Sequence, residues 1–535
     1  MDRIFLAASS GKLGNLKAIF EGRAGIDTRE ISIHLPNEEG QFLIHVASQG
    51  GHTEIVKFLV NRGADLDQGD RYGNTALHYA SSCGQLDVVQ YLLSKGADIE
   101  KCDVNRVRAL HCAASKGHLD VARYLISEGA EIEAAQKDGR TPLHYASCYG
   151  RGAVVGYLIS QRAQLDVVDN HGRTPLLEAS SNGHVNTVQY LMTKGAEVEI
   201  MDAKGLTALL EASINGHLKV VKYLLGKGAQ MEIEDKDGRT PLYYASLNAH
   251  LDTVQCLLDK GATLEKPKGN GLTPLIRATC SGDLPVIKYL VDNGANLDAV
   301  NIKDMSPLHF ASSKGYLDVV QYLVSKGSQF DRVDKDGLTP RHYASANGHT
   351  EVTRFLVDTG AETEKGSTTG VTPLHFAAAE GRLDVVRYFI GEGLDLERVD
   401  DAGGTALHKA ASNGHLGVVR LLILKGAQKD EGDKNGITPL QKASFNGHLD
   451  IIVLIVCQQA QLDKGDSKGL TALHCASARG HLKVVQYLVS KGAKVENVDH
   501  NDVPSPLHCA SRLGHLDVVK FLESQGALLE KGDST

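Results

Sequence analysis

The chain has 535 residues, and 57 basic against 65 acidic side chains give it a formal net charge of −8, which offers no basic field for nucleic acid or an anionic membrane. Nine cysteines lie scattered without CxxC or zinc-like spacing and no Asn-x-Ser/Thr sequon occurs, so free thiols in a reducing, intracellular (cytoplasmic) compartment are expected. No apolar run reaches the roughly 18 residues of a spanning helix, and the start of the chain is too weakly apolar for a signal peptide, so no direct membrane insertion is expected.

In chain order, residues 1–40 read as a degenerate first unit that caps the chain. From residue 41 a motif recurs. The leucine of "TALH", Leu77, returns every 33 residues from Leu110 to Leu308, stands once as Arg341, and resumes from Leu374 to Leu473. The last step, to Leu507, is 34 because "VPSPLH" carries one extra residue. A period of this length marks a solenoid, in which each unit buries its apolar face against its neighbours. Residues 41–502 then form fourteen regular units, and 503–535 a C-terminal unit suited to capping, with Glu523 where Leu93 stands.

Within one unit, "DRYG" at 70–73 is turn chemistry, and Thr75 is a helix N-cap. A short helix runs to Gly84. A second, "QLDVVQYLLSKG", turns Leu86, Val88, Val89, Leu92 and Leu93 to one side, and Gly96 suits a left-handed helix end. "ADIEKCD" leads into the next turn. Each unit is turn, helix, helix and extended finger, an all-α plan.

The order "TPLHYAS" (141–147), "GHLD" (117–120) and "SKGA" (94–97) closely resembles the ankyrin repeat family, and the resemblance covers the whole chain. It implies an ankyrin-repeat solenoid of stacked helix-turn-helix units with β-hairpin-like fingers, and a binding module without catalytic chemistry.

Residues that look chemical dissolve into columns of this repeat. Ten histidines share the "TPLH" position, His144 among them, and ten the "GH" position before the second helix. Replacement of the first column by Leu177, Leu210, Tyr243, Ile276 and Gln441 suits a structural post, because a general base cannot be exchanged for these and keep its role. The resemblance implies that this histidine ties turn to helix start by hydrogen bonds. Tyrosines such as Tyr91 and Tyr124 form a packing column on the second helix. No P-loop, HExxH, GxSxG or kinase motif occurs, so no catalytic residue, cofactor or metal is expected.

Two surfaces remain for partners. An acidic residue stands three positions after every helix-ending Gly-Ala pair; Glu199, Glu232 and Glu265 belong to this column, either a solvated edge or an acidic rail for a basic partner. The variable face of the first helix, with the finger tips, is expected to line a concave binding surface. It carries Tyr79, Lys116, Tyr145, Tyr149, Glu178, Glu211, Ile214, Tyr244, Leu247, Phe310, Tyr343 and Phe376. Aromatics mixed with both charge signs suit protein hot spots. The reading is a monomeric adaptor or scaffold for other proteins; the alternative is a regulatory or targeting arm of a larger enzyme or channel. Weak points are expected at Arg341 in the inward leucine column, at Arg162 and Gln459 in place of the helix-ending glycine, and at "EKPKGNG" (265–271).

Overall fold

The computed structural model describes residues 2–21, 23, 33–265, 271–496 and 503–527. Thirty-two helices follow in chain order, α1 (Asp2–Ser9) to α32 (Leu516–Ser524), with no strand among the described residues. They come in pairs, one pair per repeat, and the repeats are numbered here from the N-terminus. The chain divides into two compact units, Met1–Gly269 and Asn270–Thr535. Each unit is by itself a stack of helix pairs, and "EKPKGNG" lies almost wholly outside the described residues.

Repeat 3 shows why the letters fold this way. Thr75 is extended (φ −90°, ψ 172°) and caps α5 (Ala76–Ser82). Its amide donates to Nδ1 of His78 at 3.1 Å, and its hydroxyl lies 2.9 Å from the same nitrogen. Where the histidine is absent, the threonine hydroxyl accepts the backbone N–H instead, as at Leu177, Leu210, Tyr243 and Ile276. Gly84 (φ +72°) turns the chain into α6 (Leu86–Ser94). A Cβ there would fall 2.5 Å from Nδ1 of His118 in the next repeat, so both conformation and space demand glycine.

Leu77 and Ala80 from the first helix and Val88, Val89 and Leu92 from the second are at most 2% exposed. Each buried leucine contributes about 1.5–3 kcal/mol, and their repetition builds a core that runs along each stack. Of the second-helix residues expected inside, Leu86 and Leu93 are only half-buried.

The irregular positions keep the common backbone. Arg162 (φ +70°) and Gln459 (φ +61°) adopt the left-handed conformation that glycine takes elsewhere. Arg341 is 1% exposed. It neither reaches water nor meets a carboxylate in a salt bridge: Nη1 donates to the Ala361 carbonyl at 3.2 Å and Nη2 to that of Glu362. Its Nε has no hydrogen-bond partner. Burial lowers the guanidinium to about 10, still charged near neutrality.

Candidate partner-binding face

The first-helix face is built on the fingers. Most fingers are short loops closed on one aspartate; Asn37, Asn301 and Ser367 take its place in three others. Asp70 Oδ1 accepts the amides of Tyr72 and Asn74, both at 2.8 Å, and Asp169 does the same for His171 and Arg173. Neighbouring fingers join through backbone bonds such as Val104 N–H to the Tyr72 carbonyl (2.9 Å).

The face then reaches back to those aspartates. The Tyr79 hydroxyl donates to Asp70 at 2.8 Å, Tyr244 to Asp235 at 2.6 Å and Tyr343 to Asp334 at 2.6 Å. Tyr145 donates to Gln136 at 2.7 Å. Lysine takes over the same position without a change of geometry, Lys442 pairing with Asp433 at 3.0 Å. Burial and the Asp235 acceptor push the Tyr244 phenol up to about 12.

Glu178 and Glu211 enter a buried ion network. Arg140 reaches Glu178 at 2.9 Å and Asp169 at 3.3 Å. Arg173 reaches Glu178 at 2.7 Å, Asp202 at 3.5 Å, and also Glu211. Against the desolvation of burial, Glu211 and Glu178 raise the Arg173 guanidinium further above its usual range.

These contacts revise the expected face. Glu178, Glu211 and Tyr244 are buried at 3%, 6% and 8% exposure, so they hold the face from within and do not present themselves to a partner. Tyr79, Tyr145, Ile214 and Leu247 in the first unit, and Phe310, Tyr343 and Phe376 in the second, are half-buried. Only Lys116 and Tyr149 of the expected set are exposed. Tyr149 is 50% exposed and stacks on Tyr145 with ring centroids 6.5 Å apart and planes 23° apart.

The acidic column has a role that the letters did not disclose. Glu199 accepts the backbone N–H of Gln230 in the next repeat at 2.8 Å, and Glu232 that of Thr263 at 2.8 Å. The same bond, always 31 residues long, recurs from Asp67 with Asp98 (2.9 Å) to Asp463 with Lys494 (3.0 Å). Glu265, the third expected rail residue, is exposed.

Both histidine columns are stitches between repeats. Nδ1 of His144 accepts the Thr141 amide at 3.1 Å, so Nε2 carries the proton and donates to the Arg173 carbonyl in the next repeat at 2.9 Å. Burial lowers these imidazoles, His111 and His342 to about 4. In the second column His118 Nε2 donates back to the Ser82 carbonyl at 3.0 Å. Gln85, Arg151 and Arg382 stand in that column and make the equivalent bond.

Arg140 and Arg173 were missed by sequence reasoning. Their signal was present: each lies 38 residues before a glutamate of the first-helix face, the separation that also joins Gln41 to Tyr79. Among the described residues no group of His, Cys, Asp and Glu is placed to hold a metal ion, and no helix is long and apolar enough to cross a membrane.

Comparison with known families gives matches along nearly all of the chain. The family described as ankyrin repeats (3 copies) matches residues 4–103, 110–202, 153–235, 176–268, 263–334, 308–400, 389–466 and 454–533. A second, ankyrin repeats (many copies), matches 84–126. No curated protein matches the chain.

Proposed function

The chain belongs to the ankyrin repeat family, and on that premise we propose that it is a non-catalytic scaffold or adaptor that holds protein partners on its first-helix face. Ankyrin repeats are generally protein–protein interaction modules, and proteins built of them are typically not catalysts. One observation carries the reading: Tyr149, half exposed and backed by the Tyr145 ring, is a rigid aromatic of the kind that anchors interfaces. Exposed Lys116 in the preceding repeat supplies a charged neighbour. Half-buried Ile214 and Leu247 extend the face in the following repeats. His144 is ill suited to recognition, since both of its ring nitrogens are already bonded.

The test is affinity capture from a cell extract on the intact chain, followed by titration of the captured protein. Tyr149→Ala with Tyr145→Ala should weaken binding by tenfold or more, in line with the roughly 2 kcal/mol of a hot-spot aromatic. Tyr149→Ala alone should leave melting unchanged. A captured partner indifferent to both changes would place recognition elsewhere on the chain.

A further inference from the structure

The outward face of the second helices follows one grammar in most repeats, and it breaks in repeats 13 and 14. In most other repeats one position of this face is an aromatic ring (Cys256 stands there in repeat 8), and several rings sit under a cation, as Tyr322 under Lys326 at 5.4 Å and Tyr487 under Lys491 at 5.6 Å. The position three residues after the ring is commonly a serine, such as Ser325 or Ser490. In α26 (Leu416–Leu424) and α28 (Leu449–Cys457) the ring becomes Leu421 and Leu454, and the serine becomes Leu424 and Cys457. The position before the ring becomes Val453 in α28. Leu424 is 70% exposed, more than any other large hydrophobic side chain among the described residues, and Cys457 is exposed and free. Leu421 and Leu454 rest half-buried on the core beneath. Adjacent apolar substitutions at several columns make a continuous patch of the kind that marks an interaction site.

The patch has a mixed border in which cations outnumber carboxylates. α26 carries Arg420, is followed by Lys425, and contains no carboxylate. Arg387 on α24 (Leu383–Gly391) and Lys483 on α30 (Leu482–Ser490) flank it. α24 also carries Asp384 and is followed by Glu392, both exposed, but the helix that bears Leu424 is basic. All four cations are exposed, and none forms an ion pair among the described residues. Within α28 the only charge is Asp450, at the first turn. The backbone of both helices bonds within itself, so an extended peptide would find no sheet edge to join. What two side-by-side helices do offer is a groove into which the ridge of a third can pack.

We propose that the second-helix face of repeats 13 and 14 is a docking site for an amphipathic helix of a partner protein, with its apolar stripe on Leu421, Leu424, Val453 and Leu454 and acidic flanks toward Arg420 and Lys425. This site is separate from the Tyr149 face and does not depend on it.

The probe is a synthetic amphipathic helix of roughly 18 residues, long enough to hold helical structure when stapled, with leucine at i, i+3, i+4 and i+7 and glutamate on its flanks. Its affinity for the full chain is compared with that of the same peptide carrying lysine flanks, and alkylation of Cys457 is followed in parallel. The glutamate peptide should bind at least about tenfold more tightly, protect Cys457, and lose both effects with Leu424→Ser and Val453→Gln. Those substitutions restore the residues of other repeats, so melting should hold or rise. Equal binding of the two peptides, or binding that ignores the double variant, would overturn the proposal. So would a concentration-dependent dimer that the variant dissociates, or adhesion to neutral phosphatidylcholine vesicles that the variant abolishes, since each names a different occupant.

Discussion

At the scale of single residues, the exceptions to the repeat are informative because thirteen or so neighbours show the alternative. Arg341 fills a position that leucine, or Ile44 in the first regular repeat, occupies in the other regular repeats, and its charge is buried against carbonyl dipoles alone. Replacing a buried charge by a packed apolar group is neutral to stabilising, so Arg341→Leu should raise stability by about 1–3 kcal/mol in urea unfolding. A loss would show that the two carbonyl bonds outweigh the desolvation. Arg162 and Gln459 hold a left-handed backbone at a cost of roughly 1–2 kcal/mol each, and a Cβ at the equivalent Gly96 meets nothing within 4 Å. Conformation is therefore the only penalty. Arg162→Gly should recover about 1 kcal/mol, read as a higher urea midpoint, and no gain would mean that the turn relaxes at little cost.

At the scale of the repeat, the acidic column shows how a surface feature can be an internal one. Glu199 looks like a member of a charge ladder, yet one oxygen accepts the Gln230 amide. The sequence alone could not reveal that partner, because the bond crosses 31 residues and depends on how adjacent repeats register. If the acceptor matters, Glu199→Gln should be neutral to within about half a kcal/mol, whereas Glu199→Lys should cost about 0.5–1.5 kcal/mol by losing the bond to the amide. Hydrogen exchange at Gln230 should quicken only in the lysine variant. Equal behaviour of the two variants would return the column to a purely electrostatic role. The same limit explains the buried Glu178 and Glu211. Helical spacing placed them correctly on the first-helix face, but their burial comes from Arg140 and Arg173 on neighbouring fingers.

At the scale of the whole molecule, the plan of the fold was legible because period, caps and left-handed glycines agree in most repeats. The role of His144 was legible too, through its exchange for Leu177 and Tyr243. What was not legible was the far end of each bond. Gln441 makes the logic explicit. Its Oε1 accepts the Thr438 amide, and its Nε2 donates to the Leu470 carbonyl, each at 2.5 Å, so an amide reproduces the neutral imidazole without titrating. The central claim is that these histidines hold repeats together as buried neutral donors and acceptors. Burial holds the folded pKa of His144 below the unfolded value of about 6.5, and those of His111 and His342 near 4. The unfolded chain then binds more protons below that value, so stability is full above pH 6.5 and lost as pH falls toward 4. Each such histidine contributes up to about 1.4 kcal/mol per pH unit in that window. The decisive measurement is the urea midpoint from pH 7.5 to 4.5 for the native chain and for a variant with His111→Gln and His342→Gln. The account predicts a midpoint constant above pH 6.5 that falls steadily below it, with a shallower fall in the glutamine variant. A native midpoint that stays flat to pH 4.5, or an equally steep fall in both chains, would contradict it.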